Sequence, residues 1–190
     1  MRARSVSLIG FIVCAAASAL AQTAPTATAP ETFSAKARVE NSAGAAIESP
    51  IQVHIERYTP DFDRTAVENG LKHNGYNGFL TALRKAPDVG YVDLNGQKTL
   101  IRWARQTPEG SGRTIVVITE KPVYFIGGAL ANAKPRTGYE VALLKLQVDA
   151  KGSGAGTMAA AARVKPGGET GVQIDSYAET PVNLSSVTRQ

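Results

Sequence analysis

The chain has 190 residues, 43% of them hydrophobic and only 6% aromatic, and a formal charge of +5. That length suits one domain with a sizeable core. The positive charge is dispersed, with no block of Lys and Arg interleaved with aromatics, which argues against a nucleic-acid partner, and the one cysteine, Cys14, lies close to the start.

Met1 to Ala21 has the pattern of a secretory signal: Arg2 and Arg4 give a basic start, Leu8 to Ala17 an apolar middle, and Ala19, Leu20 and Ala21 an A-x-A cleavage site before Gln22. The apolar run is too short to span a bilayer, so no transmembrane span is expected. Cys14 follows Ile12 and Val13 rather than small residues, which argues against lipid modification. The sequence therefore predicts export, to a periplasmic or secreted location. Once Arg2 and Arg4 leave, the charge falls to about +3 and no cysteine remains for disulfides or thiol catalysis. Residues 22–31, with the run TAPTATAPE, have nothing to bury and read as a disordered linker ahead of a single domain over 32–190.

Phe33 to Glu40 alternates strictly, with Phe33, Ala35, Ala37 and Val39 on one side, as a half-buried strand does. After a turn at Asn41 to Gly44, Ile51, Val53 and Ile55 define a second strand that hairpins with the first, and the alternation continues to Arg57 at its end. Thr59 as N-cap, Pro60 at the first helical position, and Asp61 and Asp63 near the positive dipole end then announce a helix. Phe62, Ala66, Val67 and Leu71 recur at helical spacing up to a stop near Gly75. A second short helix is capped by Asn77, buries Phe79, Leu80 and Leu83, and ends at Pro87. The two form a helical hairpin inserted between strands.

Val89 to Gln106, VGYVDLNGQKTLIRWARQ, carries the strongest local signal: two apolar-rich runs joined by Asn95-Gly96, a pair suited to a type I′ turn. A two-residue turn sets Asp93 opposite Lys98 and Gly90 opposite Ile101. Leu94, Val92, Gly90, Thr99, Ile101, Trp103 and Arg105 then share the expected core face. Beyond it lie a β-branched run in Arg113 to Glu120, a strand at Val123 to Ile126, and the unpatterned stretch Gly127 to Thr137. Strands follow at Tyr139 to Val148, Thr157 to Lys165, Val172 to Tyr177 and Val182 to Val187. Turn signals this frequent predict an α+β, mainly β fold: an antiparallel barrel or sandwich of about eight to ten strands with the helical hairpin inserted.

The segments IERYTPDFDR, FLTALRKAPDVGYV, IRWARQTPEG, RTIVVITEKP, DAKGSGAGTM and IDSYAETPVNLSSV resemble an uncharacterised family of secreted bacterial proteins. That family carries an IERW-like strand, a short helical hairpin, and VGYI, LRYARQ, IVLATDRP and ENYxxxPVRL segments. The resemblance covers nearly all of the mature chain and implies a single exported domain with no activity attached. Two departures stand out: Trp103 where Tyr is usual, and a shorter, glycine-richer GETGVQIDSYAE.

Most chemical motifs dissolve on inspection. His54 and Glu56 share a strand face, but with His73 the only other histidine no metal site or cofactor is expected. Gly152, Gly154 and Gly156 lie between strands rather than before a helix, so a hairpin turn is favoured over a phosphate loop, and Lys151 spoils a calcium loop around Asp149 and Ser153. No G-x-S-x-G or H-E-x-x-H signature is present, and His73 near a helix end reads as a cap. Asp93, Glu140, Asp175 and Glu179 are candidates for a carboxylate hydrolase, the least favoured function, with no spacing to choose among them. Arg57 and Arg105 are different, because each extends the apolar side of a strand to its end. A buried arginine needs an anion. The expected function is thus a non-enzymatic binding module whose Arg57 and Arg105 hold the head of a small anionic or amphipathic ligand, its apolar part against Trp103 and Tyr91 or Tyr124. The alternatives for these arginines are snorkelling to the rim or pairing with Glu56, Glu120 or Glu179. The alternative function is an envelope-associated interaction module using an apolar strand face or Gly127 to Thr137.

Overall fold

A computed structural model describes residues 29–40, 46–124, 136–168, 170–178 and 180–190. The expected signal, most of the linker, the Asn41 to Gly44 turn, most of Gly127 to Thr137, and Glu179 lie outside the described residues. The elements are β1 (Glu31–Glu40), β2 (Ala46–Ile55), α1 (Asp61–Lys85), β3 (Gly90–Leu94), β4 (Gln97–Glu109), β5 (Gly112–Thr119), β6 (Val141–Val148), β7 (Ser153–Pro166), β8 (Val172–Tyr177) and β9 (Val182–Arg189). All pairings are antiparallel. The order β6-β5-β4-β3-β2-β1-β9-β7 closes through β6 on β7, giving an eight-stranded barrel, and β8 is an extra strand on the far part of β7. Among the described residues no helix is long and apolar enough to cross a membrane.

Barrels of eight strands are just wide enough for side chains to fill, and here they do. Phe33, Ile51, Ile55, Ile101, Ile115, Leu144, Leu146 and Met158 are all fully buried in one inner cluster. Alternation supplies them: each of β1, β2, β3 and β5 turns every second residue inward. A second core lies outside the wall, where Val67, Leu71, Phe79 and Leu83 of α1 cover Trp103, Ile118, Leu143 and Ala162.

The helical insertion follows from the strand register. Ile55 pairs with Gly90, so the chain leaves and returns at one end of the barrel, and a single straight helix would carry it away. Gly75, at φ 63°, breaks α1 into two arms. They fold back so closely that a Cβ on Gly70 would lie 2.8 Å from the Gly78 carbonyl oxygen. The expected hairpin is present, but its start differs. Pro60 occupies the cap position, and Thr59 instead pins the barrel end: its hydroxyl accepts the Ala104 N–H at 2.8 Å and its own N–H donates to the Ala104 carbonyl at 2.9 Å. Phe62 and Ala66, which share the helical spacing of Val67 and Leu71, are exposed, because Val67 and Leu71 cover the barrel from another side of the helix.

The β3–β4 hairpin has the expected register throughout, Leu94 opposite Gln97 to Gly90 opposite Ile101, with Asp93 accepting the Gly96 N–H at 2.8 Å in the turn. Its expected core face stops at Ile101. A β-bulge at Arg102 shifts the pairing with β5 between Ile101 and Trp103, and one extra residue inverts the alternation. Ala104 faces inward, whereas Trp103 joins the outer core under α1 and Arg105 faces the same helix. Two smaller corrections concern strand limits. Glu31, assigned to the linker, is the first residue of β1. Val123 and Tyr124 are not in a strand, the Val123 N–H bonding the Ala160 carbonyl while its side chain joins the inner core.

Candidate functional site

The residues expected to gather around a ligand lie apart. Arg57 is exposed and donates to the Asp88 carbonyl at 2.7 Å, because Glu56 and Arg57 both turn their N–H groups to the Val89 carbonyl and the alternation of β2 ends before them. Arg105 pairs with Glu68 of α1 at 3.6 Å. Trp103 is fully buried under α1. Tyr91 is on the outer wall, its ring 4.9 Å from His54 and with the Lys98 ammonium 4.2 Å from its centre. Tyr124 is half-buried beside Val123. Of the carboxylates considered for hydrolysis, the three among the described residues are equally scattered. Asp93 is committed to its turn, Asp175 pairs with Arg163 and Lys165, and the Glu140 backbone binds the Tyr76 hydroxyl.

A charged cluster does fill one end of the barrel, and other residues build it. Glu31 and Arg113 are each the outermost inward position of their strands, in phase with Phe33 and Ile115. Arg113 grips Glu31 with both terminal nitrogens, at 2.9 and 2.5 Å, the fork-to-fork geometry that suits guanidinium and carboxylate. The Tyr58 hydroxyl donates to the same carboxylate at 2.8 Å, and Gln106 accepts from Arg113 at 2.6 Å. Below them the Arg113 guanidinium lies 5.8 Å from the Phe33 ring centre. Burial opposes the charge on Glu31, but the hydrogen bonds from Arg113 and Tyr58 outweigh it and hold the carboxyl below its usual range. Burial, reinforced by Glu31, pushes the Tyr58 hydroxyl up, so it stays a donor. Burial works against the Arg113 cation as well, and Glu31 overcomes it.

Outside this pair the same end opens into a cleft of about 450 Å³ lined by Pro30, Glu31, Thr32, His54, Arg189 and Gln190. Arg189 approaches Glu31 at 3.6 Å with its side chain 40% exposed. Gly152 makes that path: at φ 85°, it holds a turn that suits glycine, and a Cβ there would sit 2.5 Å from the Arg189 Cβ. The Arg189 N–H bonds the Gly152 carbonyl and the Gln190 N–H bonds the Thr32 carbonyl, both at 2.9 Å, so the last strand is fixed over the mouth. Thr32 and His54 share a hydrogen bond of 2.8 Å across the floor. Two guanidiniums thus meet one carboxylate. The inner one is saturated and the outer one faces the cleft.

An arginine at the end of an apolar strand phase does mark the candidate site, but the residues are Arg113 and Arg189 in place of Arg57 and Arg105. No protein-family model, curated protein or solved structure matches the chain.

Proposed function

We propose that this chain is an exported, non-enzymatic binding module that takes a small anionic ligand in the cleft at the charged end of its barrel. The observation that carries the reading is the pairing of two arginines with one buried carboxylate: Arg113 neutralises Glu31, and Arg189 contributes a positive charge toward the cleft. A carboxylate or phosphate of a few heavy atoms fits about 450 Å³ and would be held by Arg189, with Thr32 and His54 as polar neighbours. The barrel interior is filled by side chains, so the ligand is placed at the rim, and an apolar tail has no channel to follow inward. Export rests on the N-terminal pattern of basic start, apolar run and A-x-A site.

The reading is tested by titrating ¹⁵N-labelled protein with sodium acetate and with inorganic phosphate at constant ionic strength. Saturable shifts at the amides of Thr32, His54 and Arg189 are expected, and loss of saturation in Arg189→Gln. Shifts that stay linear with concentration, or that survive in Arg189→Gln, refute it.

A further inference from the structure

The two arms of α1 cover the barrel with one side and leave a groove of about 740 Å³ on another. Ala66 and Gly70 on the first arm and Gly78 and Ala82 on the second line it, with Asn74 and Asn77 at the turn. At the other end Phe62 stands at the lip with 84% of its surface exposed. A phenylalanine this exposed beside a groove of small and polar residues is surface of the kind that contacts bury. Asp63 and Lys85 flank the same end from opposite arms, and neither is ion-paired among the described residues.

We propose that this groove is the contact surface of a homodimer, independently of the anion site. The argument is self-complementarity. A two-fold axis running parallel to the arms lays the first arm of one copy over the second arm of the other. Phe62 then meets the partner's Ala82 and Ala86, and Asp63 meets the partner's Lys85, twice over by symmetry. The arms run over 61–74 and 76–85. At 1.5 Å per residue they make a face of roughly 20 by 20 Å, so the pair buries on the order of 800 Å², less than a permanent dimer needs. The association is therefore weak and concentration-dependent.

Sedimentation velocity from 10 µM to 1 mM at low salt tests it. Wild-type protein is expected to move from monomer to dimer across that range, and Phe62→Asp to stay monomeric. Asp63→Lys and Lys85→Asp should each weaken self-association by about tenfold, since each sets like charges opposite one another. Mixing these two variants restores association, because every 63-to-85 contact in the mixed dimer again joins opposite charges. Phe62 and Lys85 are exposed and Asp63 half-buried, so all three variants are expected to stay folded, which thermal melting checks. A wild-type monomer at 1 mM, a dimer that Phe62→Asp leaves intact, or a mixture no tighter than either variant alone overturns the proposal.

Discussion

Two arginine–glutamate pairs sit toward the same end of the barrel, on opposite sides of its wall. Inside, Arg113 and Glu31 are 7% and 2% exposed, joined by two hydrogen bonds and enclosed by Tyr58, Gln106 and Phe33. Outside, Arg105 and Glu68 are 28% and 16% exposed and meet by one contact of 3.6 Å, with one oxygen of Glu68 buried and lacking a hydrogen bond. The chemistry is the same and the surroundings differ. Inside the barrel both side chains are almost wholly covered and little water can replace a lost partner, so the pair works as a unit whose halves are costly to remove singly. At the helix seam water reaches the guanidinium and screens it. Burial of the neighbours, rather than the ion pair itself, decides what each pair is worth.

The sharpest way to break this comparison is Arg113→Met. It leaves Glu31 a buried charge held only by the Tyr58 hydroxyl and, at 3.6 Å, by Arg189, and a loss of about 3 kcal/mol is expected in urea denaturation. The double variant Glu31→Leu/Arg113→Met leaves no buried charge to neutralise, Arg189 being 40% exposed, and should recover most of that loss, since apolar replacements of buried pairs are often neutral or stabilising. A single variant within about 1 kcal/mol of wild type would mean that water enters this end of the barrel.

Tyr58→Phe is expected to cost about 1.5–3 kcal/mol, the worth of a hydrogen bond to a charged acceptor, and a melt that leaves the midpoint unchanged would remove Tyr58 from the network. Acid gives an independent measure of the same contacts. Because folding lowers the pKa of Glu31 below the ordinary 4.5, the stabilisation is complete above that value. It drains away as pH falls from 4.5 toward the folded-state value, where the native carboxylate takes its proton. Glu31→Gln should therefore begin less stable at pH 7 and lose less between pH 4.5 and pH 2. Parallel acid limbs for the two proteins would show that Glu31 is not the group responsible.

Much of the barrel could be read from alternation. Phe33 to Val39, Ile51 to Ile55 and the whole β3–β4 register were legible because every residue in them obeys a period of two, and the Asn95-Gly96 turn fixed the pairing. The bulge at Arg102 was not legible. It depends on the neighbouring strand and on Thr59 capturing Ala104 from more than forty residues away, and no local signal marks it. That single residue moved Trp103 and Arg105 across the wall and with them the expected site. Arg113 and Glu31 were closer to view. Both continue an apolar phase outward by one step, as the sequence predicts for Arg57, but Glu31 follows the Thr, Ala and Pro run and reads as linker. What the sequence withholds is closure: which strand ends meet around a mouth is set by β9 pairing with β1, and only then do Glu31, Arg113 and Arg189 become neighbours.

The outer pair supplies the smallest effect and the control for the rest. Arg105→Gln keeps much of the aliphatic stem against α1 and removes only the charge, and Glu68→Gln keeps the shape of its carboxylate. Each should change stability by no more than about 1 kcal/mol, with a coupling energy in the double-mutant cycle below about 0.5 kcal/mol that fades further in 0.5 M salt. The matching cycle on Glu31 and Arg113 should give a coupling several times larger and less sensitive to salt, because both side chains of the inner pair are almost wholly buried. Equal couplings at the two sites, or a strong salt response at the inner one, would show that the barrel wall does not separate a dry environment from a wet one.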